Sequence, residues 1–329
     1  MSLTPEQFAQ LAGRVENEVR RVIVGQQRLV RDVLACLFCE GHVLLEGVPG
    51  LGKTVLLRTL GDALSLEFNR IQCTPDLMPA DIVGTSVLGE GASTTFQAGP
   101  VFTQLLLADE INRATPKTQS ALLEAMAERR VTVGGVTRDL PRPFFVMATQ
   151  NPIEMEGTYP LPEAQLDRFM AKVLVALPDA DDLLDILGRT TGPGMATVTP
   201  VASGEDLLGA IALIREVPIA SHVTRHVVDL VQATHPSGDT APDVVRRYVR
   251  HGSSPRGAQS LVLLARAYAL LDGRLQASIE DVRAAAGPCL RHRLVLGYEA
   301  LAAGLQADEL VAAVLDAVPV PGPPVKGAV

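Results

Sequence analysis

The 329-residue chain has only four cysteines, and they are scattered. That is too sparse for a disulfide scaffold. Cys36 and Cys39 do form a C-x-x-C, a pattern that can signal metal or redox chemistry. It lies in an apolar helical stretch, residues 29–39, beside Leu34, Leu37 and Phe38, with no second Cys/His pair at zinc-finger spacing. Two small buried hydrophobes one turn apart are the competing reading. No apolar run approaches the roughly 20 residues of a membrane-spanning helix. The polar, amphipathic start MSLTPEQFAQ predicts no signal peptide, so a cytoplasmic protein is expected. Long Lys/Arg tracts are missing too, and the formal net charge is −8, which argues against duplex DNA as the main partner. No internal repeat is evident. What the chain does have is apolar material: 47% of it is hydrophobic, enough for real cores, and its length allows about two domains.

Residues 47–54 read Gly47, Val48, Pro49, Gly50, Leu51, Gly52, Lys53, Thr54. Every position of the phosphate-loop pattern G-x-x-x-x-G-K-[ST] is filled. The apolar run 42–46 before it reads as a buried strand, and residues 52–64 carry apolar side chains at helical spacing. Strand, glycine-rich loop and helix form the setting the motif requires. Glycines let the backbone curl so that several N–H groups point at phosphate, and the helix N-terminus adds its positive dipole end. Lys53 is expected to reach the β- and γ-phosphates of a nucleoside triphosphate, and the Thr54 hydroxyl to hold Mg²⁺.

A first helix is predicted over Pro5–Val22, with Thr4 as its cap and Pro5 at the first helical position. Residues 23–26 break the pattern. Strands at 42–46, 67–72, 105–109, 144–150 and 172–177 then alternate with helices, which implies an α/β fold with a parallel sheet. Two hairpins are expected to interrupt it: 85–88 with 94–96 around Gly89-Glu90-Gly91, and 131–133 with 136–138 around the two-residue turn Gly134-Gly135. After Pro178 the composition changes. A short acidic helix at 181–187 leads into a Gly/Thr/Pro loop, and from Gly204 the pattern is helical only. The expected organisation is a nucleotide-binding domain over 1–190, a linker over 191–203, a small helical domain over 204–317 with no strands, and a disordered Pro/Gly tail over 318–329.

Leu105, Leu106, Leu107 and Ala108 form an apolar strand that ends in Asp109 and Glu110. Beside a phosphate loop, Asp109 suits the Mg²⁺ shell and Glu110 suits polarising the attacking water. A second buried strand, 144–150, runs into Asn151, which can hold that water or simply begin the turn at Asn151-Pro152. Ser254 and Pro255 read as a helix start. Arg256 in that first turn can grip a phosphate and move a helical lid with nucleotide state; an exposed surface arginine is the alternative. Arg168 either completes a neighbour's site, as an arginine finger does, or forms a local pair with Asp167. Arg291-His292-Arg293 reads as a solvated helix face or as a partner contact.

Together these motifs make the chain resemble a MoxR-family AAA+ ATPase. The matching strings are GVPGLGKT, RIQCTPDLMPADIVG, GPVFTQLLLADEINRATPKTQSALLEAMAERRVTVGG, MATQNPIEMEGTYPLPEAQLDRF and GSSPRGAQSL, from Ile23 to about Leu261. The resemblance implies an αβα nucleotide domain with a five-stranded parallel sheet, followed by an all-α lid. It makes 47–54 the Walker A loop, with Val55 beside it, and Asp109 and Glu110 Walker B. Asn151 becomes sensor 1, Arg168 the arginine finger and Arg256 sensor 2. Val24, Gly25 and Gln26 match the segment set against adenine. The Gly89 hairpin matches the helix-2 insert and the Gly134-Gly135 hairpin the pre-sensor 1 insert. The implied function is an ATP- and Mg²⁺-dependent homo-oligomer, expected as a hexamer. It would remodel protein partners, including von Willebrand factor A domain proteins, in metal insertion or maturation. A nucleotide-dependent switch with little turnover and a DNA motor are the alternatives; the hairpin VTVGGVT, which lacks basic residues, disfavours the motor.

Overall fold

Four consecutive apolar residues, Leu105 to Ala108, are all fully buried, and this run sits inside a sheet rather than at its rim. In the computed structural model, which describes residues 3–88, 94–152, 157–192 and 197–321, it forms β5 (Leu105–Asp109). Its sheet partners are β1 (Val43–Glu46), β2 (Phe68–Gln72), β8 (Phe145–Gln150) and β9 (Ala171–Leu174). The order is β2-β5-β8-β1-β9, and every pairing is parallel. A parallel sheet needs cover on both faces. One face packs on α1 (Pro5–Val22), α2 (Gln27–Phe38) and α3 (Lys53–Leu64), the other on α4 (Pro79–Val83) and α5 (Pro116–Glu128). The expected αβα layering and five-stranded sheet are met. No helix among the described residues is long and apolar enough to cross a membrane.

Local chemistry explains the element ends. Thr4 caps α1 by accepting from the Gln7 N–H, while the Gln7 side chain accepts from the Thr4 N–H. That reciprocal box satisfies two N–H groups the helix itself cannot. Both hairpins form: β3 (Gly84–Leu88) with β4 (Thr94–Ala98), and β6 (Arg130–Val133) with β7 (Val136–Asp139). Gly134 and Gly135 have φ of 60° and 77°, the two positive values a tight two-residue turn demands. The turn expected at Gly89-Glu90-Gly91 lies outside the described residues, as does the expected tail from residue 322 onward.

After α6 (Glu163–Leu166) and β9 comes α7 (Ala180–Thr190). The second lobe then contains α8 (Gly204–Glu216), α9 (Ser221–Ala233), α10 (Asp243–Tyr248), α11 (Pro255–Leu271), α12 (Ile279–Leu290), α13 (Tyr298–Ala302) and α14 (Ala307–Ala317). The expectation of helices alone is corrected by a short antiparallel pair, β10 (Val249–His251) and β11 (Val295–Leu296). Each is too short to show an alternating pattern in sequence. The lobe is also not independent in its core: residues of α8, α9, α11 and α12 share one buried apolar cluster with α1, α2 and α3.

Arg291-His292-Arg293 is not a solvated face. The Arg293 side chain is 2% exposed and its Nε donates to Asp167 Oδ1 at 2.8 Å. Its two terminal nitrogens donate to the carbonyls of Asp167, Phe169, Met170 and Cys289 and to the Ser260 hydroxyl. The His292 ring meets the Phe169 carbonyl, and Arg291 bonds Asp308 and the Lys172 carbonyl. The strap therefore ties the helical lobe to the chain entering β9. The expectation failed because a charged triplet shows its charge in sequence but not the carbonyls waiting for it. Cys36 and Cys39 are buried, and burial raises both thiols. Among the described residues no cluster of His, Cys, Asp or Glu could hold a metal.

Removing the Arg293 guanidinium leaves Asp167 without its close counter-charge and several carbonyls without their donor. Arg293→Ala should cost about 3 kcal/mol of stability, read from urea unfolding. Arg293→Lys should recover only part, because an ammonium cannot span the same fork of acceptors.

His42 gives a pH dependence. Its Nδ1 accepts from the Val146 N–H at 3.0 Å, so Nε2 carries the hydrogen towards the Met126 carbonyl at 3.1 Å. Burial lowers its pKa to about 4, against the raising effect of the Met126 bond and helped by Arg129. The unfolded ring takes a proton near pH 6.5. Between those values the unfolded state binds more protons, so stability falls as pH falls. From pH 7 to pH 5 this group accounts for about 2 kcal/mol. Urea titrations at both pH values should show that loss in the wild type and a smaller one in His42→Gln.

Candidate functional site

The phosphate loop leaves the carboxyl end of β1 and turns into α3. Gly50 and Gly52 have φ of 85° and 76°, a backbone that side chains resist, and Gly52 caps the helix. Gly47 is required for another reason: a Cβ there would lie 2.8 Å from the Val175 side chain. Lys53 folds back so that its ammonium donates to the Gly47 carbonyl. Burial lowers its pKa, while Asp109, Glu110 and Glu46 pull it up. Lys53 is thus the cation of a loop whose other charged neighbours are carboxylates.

Parallel pairing aligns the carboxyl ends of the strands, which is where ligands bind in open α/β sheets. Asp109 stands opposite Gln72 in the β2–β5 register, and the Gly47 N–H donates to the Gln150 carbonyl at 3.2 Å. A cavity of about 310 Å³ opens there. Gly47, Pro49 to Val55, Asp109, Glu110, Thr149 and Asn151 line it. Lys53, Thr54, Asp109, Glu110 and Asn151, predicted separately from sequence, thus meet at one site. Val48 belongs to the same loop but does not line the cavity.

Asp109 Oδ1 accepts from the Thr149 hydroxyl at 2.6 Å, and Oδ2 pairs with Arg70 at 2.7 Å. Glu110 has φ of 55°, which turns its side chain away from the strand line. Its carboxylate accepts from Gln72 and Arg113, both at 3.1 Å. The Glu110 N–H donates to the Thr149 hydroxyl at 2.8 Å. One hydroxyl therefore fixes both acids. Sequence reasoning missed Thr149, although it lies two residues before Asn151 on the same strand. It also missed Arg70 and Gln72, whose contacts depend on strand order, and Arg113, a local partner three residues after Glu110. Gln26 starts α2 with φ of 49°, and Gly25 has φ of 62°, with the Asp182 carboxylate of α7 packed against it.

Arg168 and Arg256 are not brought to this cavity. Both line a groove of about 480 Å³ with Glu40, Gly41, His42, Arg129, Asp167 and Arg293. Residues 40–42 enter β1, whereas the phosphate loop leaves it, so this groove lies at the opposite end of the sheet. Arg168 donates to the Leu123 carbonyl and forms no pair with Asp167. Ser254 caps α11 and also donates to both Asp167 oxygens, at 2.9 and 2.8 Å. That leaves the half-exposed Arg256 3.8 Å from Asp167. Within one chain Arg256 therefore stands away from the phosphate loop, because the lobe carrying it docks at the amino ends of the strands.

Thr149→Val keeps the shape and removes the hydroxyl shared by Asp109 and Glu110. Nucleotide affinity should change little and steady-state phosphate release should fall about tenfold, roughly 1.4 kcal/mol of barrier. Nucleotide titration beside a phosphate-release assay separates the two.

Comparison with known proteins agrees with this geometry. Residues 42–171 match the model of the ATPase family associated with various cellular activities (AAA), and residues 243–314 match the AAA lid domain. An uncharacterised protein, YeaC, from Bacillus subtilis is 42% identical over 320 residues, 96% of this chain and 97% of that one. Chaperone MoxR1 from Mycobacterium tuberculosis is 43% identical, covering 92% of this chain and 81% of its own. Protein MoxR from Methylorubrum extorquens is 34% identical over 94% and 95%. A solved structure of a candidate ATPase from Cytophaga hutchinsonii superposes with a TM-score of 0.91 at 38% identity, over 97% of both chains. Motifs, fold and relatives together establish that this chain belongs to the MoxR family of AAA+ ATPases.

Proposed function

We propose that the chain hydrolyses ATP as a head-to-tail homo-oligomer, a hexameric ring, and uses turnover to remodel protein partners. One observation carries this reading: the phosphate loop and the two arginines occupy opposite ends of one sheet. β1 is 4 residues long, so at about 3.3 Å per residue it holds the ends more than 10 Å apart. Arg168 and Arg256 then act on the next protomer's γ-phosphate, where charge develops during transfer. The relative named a chaperone supports a protein client. A von Willebrand factor A domain partner, with maturation or metal insertion as the outcome, follows from the resemblance alone.

Within one site, Lys53 holds the β- and γ-phosphates. Glu110 polarises the attacking water, Asn151 positions it, and Val24, Gly25, Gln26 and Val55 border the nucleoside. Thr54 and Asp109 offer one hydroxyl and one carboxylate to the same cavity, the sparse oxygen set that suits Mg²⁺ shared with phosphate. When bound there, Mg²⁺ neutralises charge building on the phosphate oxygens. The engagement of Glu110 by Gln72 and Arg113 favours slow basal turnover, so a wild type that binds ATP without releasing phosphate would support the switch reading instead.

Arg168→Ala should bind ATP nearly normally and hydrolyse it at least about 10³-fold more slowly. Mixing it with Lys53→Ala should restore some phosphate release, because each supplies what the other lacks at a shared interface. If the two proteins co-assemble and the mixture stays inactive, Arg168 serves its own chain or only the structure, and the head-to-tail mechanism is wrong.

A further inference from the structure

Two apolar patches face solvent at opposite ends of the β9 side of the molecule. The first is α7. None of its residues is buried, and Leu183, Leu184 and Leu187 form one stripe, 47%, 69% and 55% exposed. Asp181, Asp182 and Asp185 flank it, Asp185 paired with Arg189 at 2.6 Å and Asp182 turned towards Gly25. A stripe like this usually means a helix packed on something. Here the helix is held in place with the stripe outward. Asp179 caps it by accepting from the Asp182 N–H at 2.8 Å. At its other end Arg189 donates to the carbonyls of Arg20 and Arg21 at 3.3 and 3.0 Å. The Asp182 carboxylate fills the space that a side chain at Gly25 would need; a Cβ there would lie 2.0 Å away.

The second patch is the tip of the helical lobe. Tyr298 and Leu301 on α13 are 87% and 65% exposed. Their rim is basic. Arg247 lies over the Tyr248 ring and pairs with Glu299 at 3.2 Å, and Arg250 and His251 are exposed on β10. The Gly297 N–H, donating to the Tyr248 carbonyl at 2.7 Å, fixes α13 against α10.

The placement of the two patches matters most. α7 follows β9 at the phosphate-loop end. β10 runs straight into Ser254 and Arg256 at the arginine end. Both lie on the β9 side, where Arg291 docks the lobe onto the Lys172 carbonyl. Within one chain the patches sit at opposite ends and cannot meet. Head-to-tail stacking, the reading on which this inference rests, brings them together. Matched apolar patches with opposite rims at two ends of one molecule are what a heterologous, ring-forming contact requires.

We infer that α7 of one copy docks on the α13–β10 tip of the next copy, with Leu184 and Leu187 against Tyr298 and Leu301 and Asp181 facing Arg247 and Arg250. Because α7 packs on Gly25, the contact also ties the nucleoside-bordering segment of one protomer to the lobe of its neighbour.

Cross-linking tests this on the full chain. All four native cysteines are buried, so introduced surface thiols report selectively. Leu184→Cys protein mixed with Tyr298→Cys protein should yield a dimer with a short bismaleimide, and neither alone should. A chain carrying both substitutions should give a ladder of higher species. Leu184→Asp with Leu187→Asp should keep the wild-type melting temperature and raise the assembly midpoint in sedimentation at least about tenfold. Cross-linked dimer from Leu184→Cys alone would mean a homotypic contact and overturn the inference. If Arg168→Ala and Lys53→Ala complement one another but the thiols do not link, the shared nucleotide site stands and this contact is wrong. If neither occurs, both readings fall.

Discussion

The Arg293 guanidinium is buried at the junction of the two lobes, and the carboxylate of Asp167 is what makes that tolerable. A charge in the interior needs a partner and nearly full hydrogen bonding to offset its lost hydration. Arg293 has both: Asp167 supplies the counter-charge, and carbonyls from Phe169, Met170 and Cys289 take the remaining donors. Those carbonyls belong to the chain entering β9 and to the end of α12. The contact therefore sets where the helical lobe sits, and with it the direction in which Arg256 points. Asp167 also accepts from Ser254, the residue that starts α11. One carboxylate thus organises the helix bearing Arg256 and stands next in sequence to Arg168.

The consequence is a division of labour along the strands. Parallel pairing sends all carboxyl ends one way, so Gly47, Asp109 and Asn151 converge there from three separate strands. The amino ends gather residues 40–42, the end of α5 and the lobe. Arginines gathered at that end cannot serve the phosphate loop of their own chain, and no local adjustment of rotamers spans the length of β1. Under the proposed head-to-tail reading, this turns a question of catalysis into one of assembly. It also gives meaning to surface features that a monomer does not need, such as leucines turned outward on a firmly capped helix.

At the phosphate-loop end the acids are held before any ligand is considered. Thr149 accepts from the Glu110 N–H and donates to Asp109, so the strand carrying Asn151 also sets the two carboxylates of β5. Arg70, Gln72 and Arg113 add the second set of contacts from β2 and the turn after β5. Preorganised side chains of this kind reduce the rearrangement needed when charge builds on phosphate.

Much of this was legible in the residues alone. The phosphate loop, the apolar strand ending in Asp109-Glu110 and the Gly134-Gly135 turn are local patterns, and local backbone chemistry determines them. Periodicity sufficed for α1 with its Thr4 cap, and for the alternation of strand and helix. The sequence could not show which strand lies beside which, and so Thr149, Arg70 and Gln72 went unseen as partners of the acids. It did not expose β10 and β11, too short to leave a period, or separate a solvated Arg291-His292-Arg293 from a buried one. It also could not say which end of the sheet receives the lobe. Those outcomes depend on contacts between residues far apart in the chain, where burial and the geometry of acceptors, rather than residue type, decide what a charged side chain does.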